Sequence, residues 1–195
     1  DAIVRGIFGK RLLVTFSAGN ERSQSRCAAF KPYGNIIPPS TAKNVLSVGA
    51  VNANNDTMTG FSSWGPTDDG RVKPDVVAPG CQSDGDLGVR STYGTADYAV
   101  ACGTSMAAPS ASGVTLLLLE QFRQTTGVTT PLPSTLKAML IHGAIDLGNV
   151  GPDFSNGWGR VDAKNSIDLI RAENFKEASL SAGQSISYTL IVTQS

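Results

Sequence analysis

A chain of 195 residues, 41% hydrophobic and 16% charged, holds enough apolar material for one buried core and argues against disorder. Sixteen basic residues offset sixteen acidic ones, and neither sign gathers into a run, which argues against a nucleic-acid or anionic-membrane surface. The longest apolar run ends near Leu119 and falls far short of the ~20 residues that span a bilayer.

The chain opens at Asp1 inside a helix-like stretch and stops at Ser195 just after a strand-like one. Both ends are expected to be cut from a longer protein, so the missing export signal carries no weight. Ile3, Ile7 and Phe8 recur about one turn apart, which predicts the end of an amphipathic helix over 1–10. Short apolar runs follow at 12–16, 45–51 and 75–78, each closed by Gly, Pro or Asn. Runs apolar at nearly every position read as parallel strands buried on both faces, with Pro79-Gly80 shutting off the third.

Two extended runs around Tyr93-Gly94-Thr95 predict a hairpin over 89–102. Residues 105–123 form the most helical segment, apolar nearly all round from Val114 to Leu119. Such a helix is expected to lie sandwiched between layers. Further helices are expected from Pro133 to about Gly143 and from Asp162 to Ala172. Helices alternating with buried strands indicate an α/β fold. After Asn174 the pattern turns to alternation, Ser185 to Val192, as in a half-exposed antiparallel strand. Residues 173–195 are therefore expected to be a linker and the first strand of a separate β domain, following a body over 1–172.

Chemistry concentrates in Gly103-Thr104-Ser105-Met106-Ala107-Ala108-Pro109. A serine at the start of a buried helix sits among free backbone N–H groups at the positive end of the helix dipole. Its hydroxyl is placed to attack a carbonyl whose oxygen gains negative charge in the transition state. Read locally, Ser105 is first of all an N-cap, since serine is favoured there. Ser17-Ala18-Gly19-Asn20 ends the first buried strand, where open α/β sheets form their ligand sites. Asn20 there can offer an amide donor to a cleft, or simply close a turn.

The motifs together resemble the subtilisin-like serine proteases. Gly103–Pro109 matches that family's nucleophile motif, and Ala18-Gly19-Asn20 the strand end that supplies its oxyanion asparagine. Val48-Gly49-Ala50-Val51, Phe61-Ser62-Ser63-Trp64-Gly65-Pro66 and the run from Lys73 to Gly80 match in the same order. Gly157-Trp158-Gly159-Arg160-Val161-Asp162-Ala163 looks like the closing motif. The resemblance covers about positions 1 to 172 and displaces the N-cap reading of Ser105. It implies the C-terminal portion of a subtilisin-like three-layer α/β domain with a parallel sheet, followed by the start of the β domain.

By the same resemblance, Ser105 is the catalytic nucleophile of a peptide-bond hydrolase acting through an acyl-enzyme. Its backbone N–H and the Asn20 side chain bind the oxyanion, and Ser17, Ala18 and Gly19 wall the pocket for the residue before the scissile bond. The subtilisin order is Asp, His, Ser, so both earlier triad members belong upstream of Asn20. No such motif stands there, and the single histidine, His142, reads as a helix residue outside the site. The chain alone is thus expected to be inert. Ser110 stands where family members often carry histidine, a position outside the triad.

The implied partner is a peptide or protein substrate, with no nucleic acid and no membrane. The parent is expected to be an exported monomer that requires no cofactor. Calcium is held open for the parent, with Asp69, Asp84 and Asp86 in glycine-containing loops as weak candidates. Two rival readings are a subtilase-like scaffold or protein-binding module that has lost its triad, and an esterase. The latter lacks its Gly-x-Ser-x-Gly, since Ala107 stands at the second glycine.

Counting back from Val48-Gly49-Ala50 places Pro39 where the family has a cis proline. Three cysteines are too few for a disulfide scaffold and match no zinc spacing. The hairpin between Cys81 and Cys102 brings them together, as a disulfide closing a loop worth roughly 3 kcal/mol or as two buried thiols. Cys27 is left unpaired.

Overall fold

The computed structural model describes residues 2–7, 9–24, 32–85 and 87–189. Asp1, Phe8, Cys27, Asp86 and residues 190–192 of the expected last strand lie outside the described residues. Strands β1 (Val14–Ser17), β2 (Val45–Asn52) and β3 (Val76–Cys81) form a parallel sheet with β2 in the centre. The register pairs Val14 with Val45 and Val48 with Val76. Every residue of β2 from Val45 to Val51 is buried, as its unbroken apolar run requires, whereas β1 is half-buried throughout.

The third strand does not stop at Pro79-Gly80 but runs through them to Cys81. Val77 N donates to Gly159 O, and Val77 O accepts from Val161 N, so position 77 faces away from β2. With a strand period of two, Pro79 faces outward as well, and its missing N–H removes no bond to β2. Gly80 is needed for a different reason. A Cβ there would lie 2.7 Å from both Ala50 Cβ and Gly103 O, so only glycine lets the chain before the next helix approach the sheet.

The first helix is shorter than its pattern suggests. α1 spans Ala2–Arg5 only, because the chain turns out of the helix at Gly6, φ 73°. β4 (Val89–Tyr93) and β5 (Asp97–Ala101) form the expected antiparallel hairpin. At its base Cys81 and Cys102 are joined by a disulfide, Cα–Cα 4.6 Å. The Pro38-Pro39 bond is cis.

α2 (Thr104–Thr126) touches all three strands and buries Ala107, Ala111, Leu118 and Phe122. Its opposite face is open: Leu116 is 67% exposed and Leu117 51%. The expected sandwiching therefore holds on one side only, since the sheet and α4 lie against the buried stripe and those two leucines point away from it. α3 (Pro133–His142) opens on proline, where a missing N–H is tolerated. α4 (Ala163–Arg171) is capped by Asp162, whose carboxylate accepts from Asn165 N at 2.8 Å. Leu46, Val48, Val76 and Ala78 of the sheet meet Leu118, Phe122, Met139, Leu140 and Ile170 in one core.

The body continues past position 172. The Phe175 ring lies 5.2 Å from that of Phe122, and the Thr135 hydroxyl donates to Glu177. Among the described residues beyond 172, up to Thr189, no helix or strand forms.

A largely buried charge cluster sits where β2 and β3 begin. Asp75 accepts from Lys73 Nζ at 2.6 Å, from Lys137 Nζ of α3 at 2.8 Å and from Ser47 N of β2 at 2.7 Å. Both ammonium groups also donate to Val45 O, at 3.2 and 2.9 Å. Burial pulls the Lys73 ammonium below its ordinary value, and Asp75 opposes that pull. Removing the shared anion leaves the buried Lys73 ammonium, and the half-buried Lys137 ammonium beside it, without a counter-ion. Asp75→Asn should lower the unfolding free energy by about 3–5 kcal/mol, read as a lower urea midpoint at unchanged m-value.

Candidate active site

The sheet's carboxyl edge and the start of α2 meet around Asn20. The helix begins at Thr104 with Gly103 as its N-cap, which has no side chain to offer. Ser105 is thus not the cap but the second helical residue, exposed at the helix start. The capping comes from far along the chain. Asn20 Oδ1 accepts from Thr104 N at 3.0 Å and from Thr104 Oγ1 at 2.9 Å. Thr104 Oγ1 in turn accepts from Gly19 N at 3.3 Å. With its oxygen committed, Asn20 has Nδ2 as its remaining donor, and a Cβ on Gly103 would lie 3.5 Å from that nitrogen. The helix dipole and the N–H groups of the first turn favour negative charge at the same place.

The chain leading to Asn20 is bonded on its other side as well. Ala18 N donates to Val48 O of β2, and Gly19 O accepts from Ser63 N, both at 2.9 Å. Glu21 N donates to Ser63 Oγ at 3.0 Å, and Arg22 N to Phe61 O at 3.3 Å. A Cβ on Gly19 would stand 3.0 Å from Ile37 Cγ1 and Ser63 Oγ, so those two side chains close the space behind that glycine. The Arg22 side chain crosses to the same neighbour: Nε donates to Ser62 O at 3.0 Å, Nη2 donates to Thr59 O, and the guanidinium lies 4.2 Å from the Trp64 ring centroid. Burial lowers its pKa from the ordinary arginine value.

The structure therefore brings Ser17, Ala18, Gly19, Asn20 and the helix turn of Ser105 together. His142 is exposed at the far end of α3, beside a cavity of about 400 Å³ lined by Asn165 and Asp168. Of the acidic loop residues, Asp69 and Asp84 have other partners. Asp69 is bonded to Arg71 Nε at 2.8 Å and to Thr67 Oγ1, contacts that lower its pKa to about 2, with Arg71 the larger cause. Asp84 accepts from Asn54 Nδ2. Among the described residues no group of three His, Cys, Asp or Glu side chains is placed to hold a metal ion.

Sequence reasoning takes Thr104 only as a letter of the nucleophile motif and misses its role in holding Asn20. A small hydroxyl residue directly before a candidate nucleophile is the signal that points to it. Arg22 has no such signal, because its partners lie about forty residues away and are carbonyls.

A sequence model described as the subtilase family matches residues 1–159. The chain is 31% identical over 184 residues to the serine protease AprX of Bacillus subtilis, covering 86% of this chain and 38% of that protein. It is 32% identical over 147 residues to the subtilisin-like protease SBT6.1 of Arabidopsis thaliana, covering 72% of this chain and 13% of the relative. Among solved structures, the Clostridium perfringens CspB protease superimposes with a TM-score of 0.63 at 31% identity, over 71% of this chain and 29% of that one. A lanthipeptide protease shares the fold, with a TM-score of 0.66 at 24% identity over 87% and 52% of the two chains. The chain thus spans well under two thirds of each of these proteins. With the strand-end asparagine and the helix-start serine in one place, and with this agreement along the sequence, the chain belongs to the subtilase family of serine proteases.

Proposed function

We propose that this chain supplies the nucleophile and oxyanion half of a subtilisin-like endopeptidase, with Ser105 attacking the scissile carbonyl. The observation that carries the reading is the Asn20–Thr104 contact. It aims an amide nitrogen toward the helix turn that holds Ser105 and leaves the amide oxygen unable to face a developing anion. In the reaction, Ser105 Oγ bonds to the carbonyl carbon and loses its proton to a base. The carbonyl oxygen takes the negative charge and accepts from Asn20 Nδ2 and Ser105 N. Collapse expels the amine, and water then releases the acyl group from Ser105. Ser17, Ala18 and Gly19 line the side chain preceding the cleaved bond.

The base and its orienting carboxylate belong to polypeptide outside this sequence, and Ser105 without them keeps the weak nucleophilicity of an alcohol. The open face of α2 at Leu116 and Leu117 suits a further layer of the same domain. Serine chemistry of this kind requires no cofactor, and the substrate is a peptide or protein in an extracellular setting. The scaffold reading stays in play as an outcome of the tests, because His142 is the only histidine here and stands apart.

In the complete protease, Ser105→Ala should abolish casein cleavage and labelling by a fluorophosphonate probe. The same measurements on the 195-residue chain alone should give neither, and brisk labelling of Ser105 there would place the base within this sequence. If the complete protein with Ser105 intact is also unlabelled, the scaffold reading replaces this one. Asn20→Ala should lower kcat by about 10²–10³ with little change in KM, a magnitude borrowed from the loss of this donor in subtilisin itself. Thr104→Val should lower kcat roughly five- to tenfold, as one neutral hydrogen bond holding the amide is lost. Unchanged kcat in Thr104→Val would remove the positioning role given to that hydroxyl.

A further inference from the structure

After β1 the chain leaves the sheet, and residues 18–24 form neither helix nor strand. A catalytic donor on irregular backbone needs rigid support, because displacement by a fraction of an ångström weakens a hydrogen bond made only in the transition state. On one side the support is Thr104, already described. The opposite side is held by residue 22. Within the span 19–22 the backbone makes three bonds to the segment 61–63: Ser63 N to Gly19 O, Glu21 N to Ser63 Oγ and Arg22 N to Phe61 O. The Arg22 side chain then extends along that segment, bonding Ser62 O and Thr59 O, with its Cζ 4.2 Å from the Trp64 ring centroid.

That neighbour is itself fixed. Ala50 N of the buried β2 donates to Ser62 Oγ at 3.0 Å, and Thr59 Oγ1 donates back to Ala50 O at 2.9 Å. Trp64 N donates to Asn35 Oδ1 at 2.7 Å, and the Trp64 ring meets Tyr33 at 5.5 Å. Arg22 therefore connects the donor-bearing turn to a platform tied to the central strand. Its planar fork suits the task, since one group reaches two carbonyls and still stacks on an indole, which a lysine ammonium cannot do.

We infer that Arg22 is a positioning residue of the reaction, a guanidinium staple that holds Asn20 at the place where the oxyanion forms. It acts through Asn20 and touches no substrate atom itself. This rests on the assignment of Asn20 as an oxyanion donor. Arg22→Met keeps the apolar stem and removes the fork, and Arg22→Lys keeps the charge without the fork.

The test has two arms on the complete protease. In hydrogen exchange, Arg22→Met should speed exchange across 19–22 by at least tenfold while leaving 76–81 unchanged, with Arg22→Lys intermediate. Unchanged exchange across 19–22 in both variants would overturn the staple, and faster exchange over 76–81 as well would show general loosening instead. In steady-state kinetics, either variant should lower kcat, Arg22→Met by about tenfold, with KM within about twofold. In an Asn20→Ala background the same substitutions should have no further effect on kcat, because the group being positioned is gone. An equal fall in both backgrounds would overturn action through Asn20. If Asn20→Ala alone leaves kcat unchanged, the oxyanion assignment fails, whereas the exchange arm still decides the staple. Arg22→Lys keeps the test decisive should Arg22→Met not fold.

Discussion

Asp75, a carboxylate buried between two lysines, sets the frame on which everything else hangs. Standing just before β3, it bonds the backbone of β2 at Ser47 and the ammonium of Lys73, and reaches α3 through Lys137. A buried ion cluster of this kind adds little net stability over an apolar core of the same shape, because three charges must first leave water. What it does supply is position. The cluster ties the start of β2 and the entry of β3 to α3, in a register that sets Val48 of β2 beside both Ser17, the last residue of β1, and Val76, the first of β3. The close approach at Gly80 then brings the chain to Gly103, and α2 begins beside the end of β1.

The site at that edge is economical in groups. A helix start normally calls for a capping side chain at the N-cap, yet Gly103 has none, and the oxygen of Asn20 takes the place instead. One amide thus satisfies a helix donor with its oxygen and keeps its nitrogen for another acceptor. The helix dipole, the first-turn N–H groups and that nitrogen all favour negative charge at one point. Donors held by tertiary bonds need little rearrangement when charge develops, which is the condition for strong electrostatic stabilisation of a transition state.

Two features describe the surfaces this body leaves open. Leu116 and Leu117 stay exposed on the longest helix, and β1 stays half-buried at the sheet's edge. The Bacillus relative matched over most of this chain is more than twice as long, with 38% of its length covered. Apolar helix positions and an unpaired strand edge are the surfaces through which an α/β layer is normally extended.

The amino-acid sequence by itself determined the parallel strands, the hairpin, the three long helices and the serine and asparagine of the candidate site. These leave local marks: unbroken apolar runs, turn residues, and the Gly-Thr-Ser start of a helix. It also allowed the Cys81–Cys102 pairing to be weighed, since the hairpin between them is a local pattern. Tertiary structure decided what depends on direction and distance. Pro79 stays in β3 because its nitrogen faces away from β2, and α1 stops at Gly6 where periodicity alone would continue it. Phe175 joins the core although it follows the last helix, because the Phe122 ring lies within reach. Thr104 and Arg22 emerged only from their bonds, to Asn20 across 84 positions and to carbonyls about forty positions away. Local propensity records how each residue prefers to bend and whether it avoids water. A hydrogen bond to a distant carbonyl leaves no trace in that record, since every residue carries the same acceptor and only the fold selects which one is met.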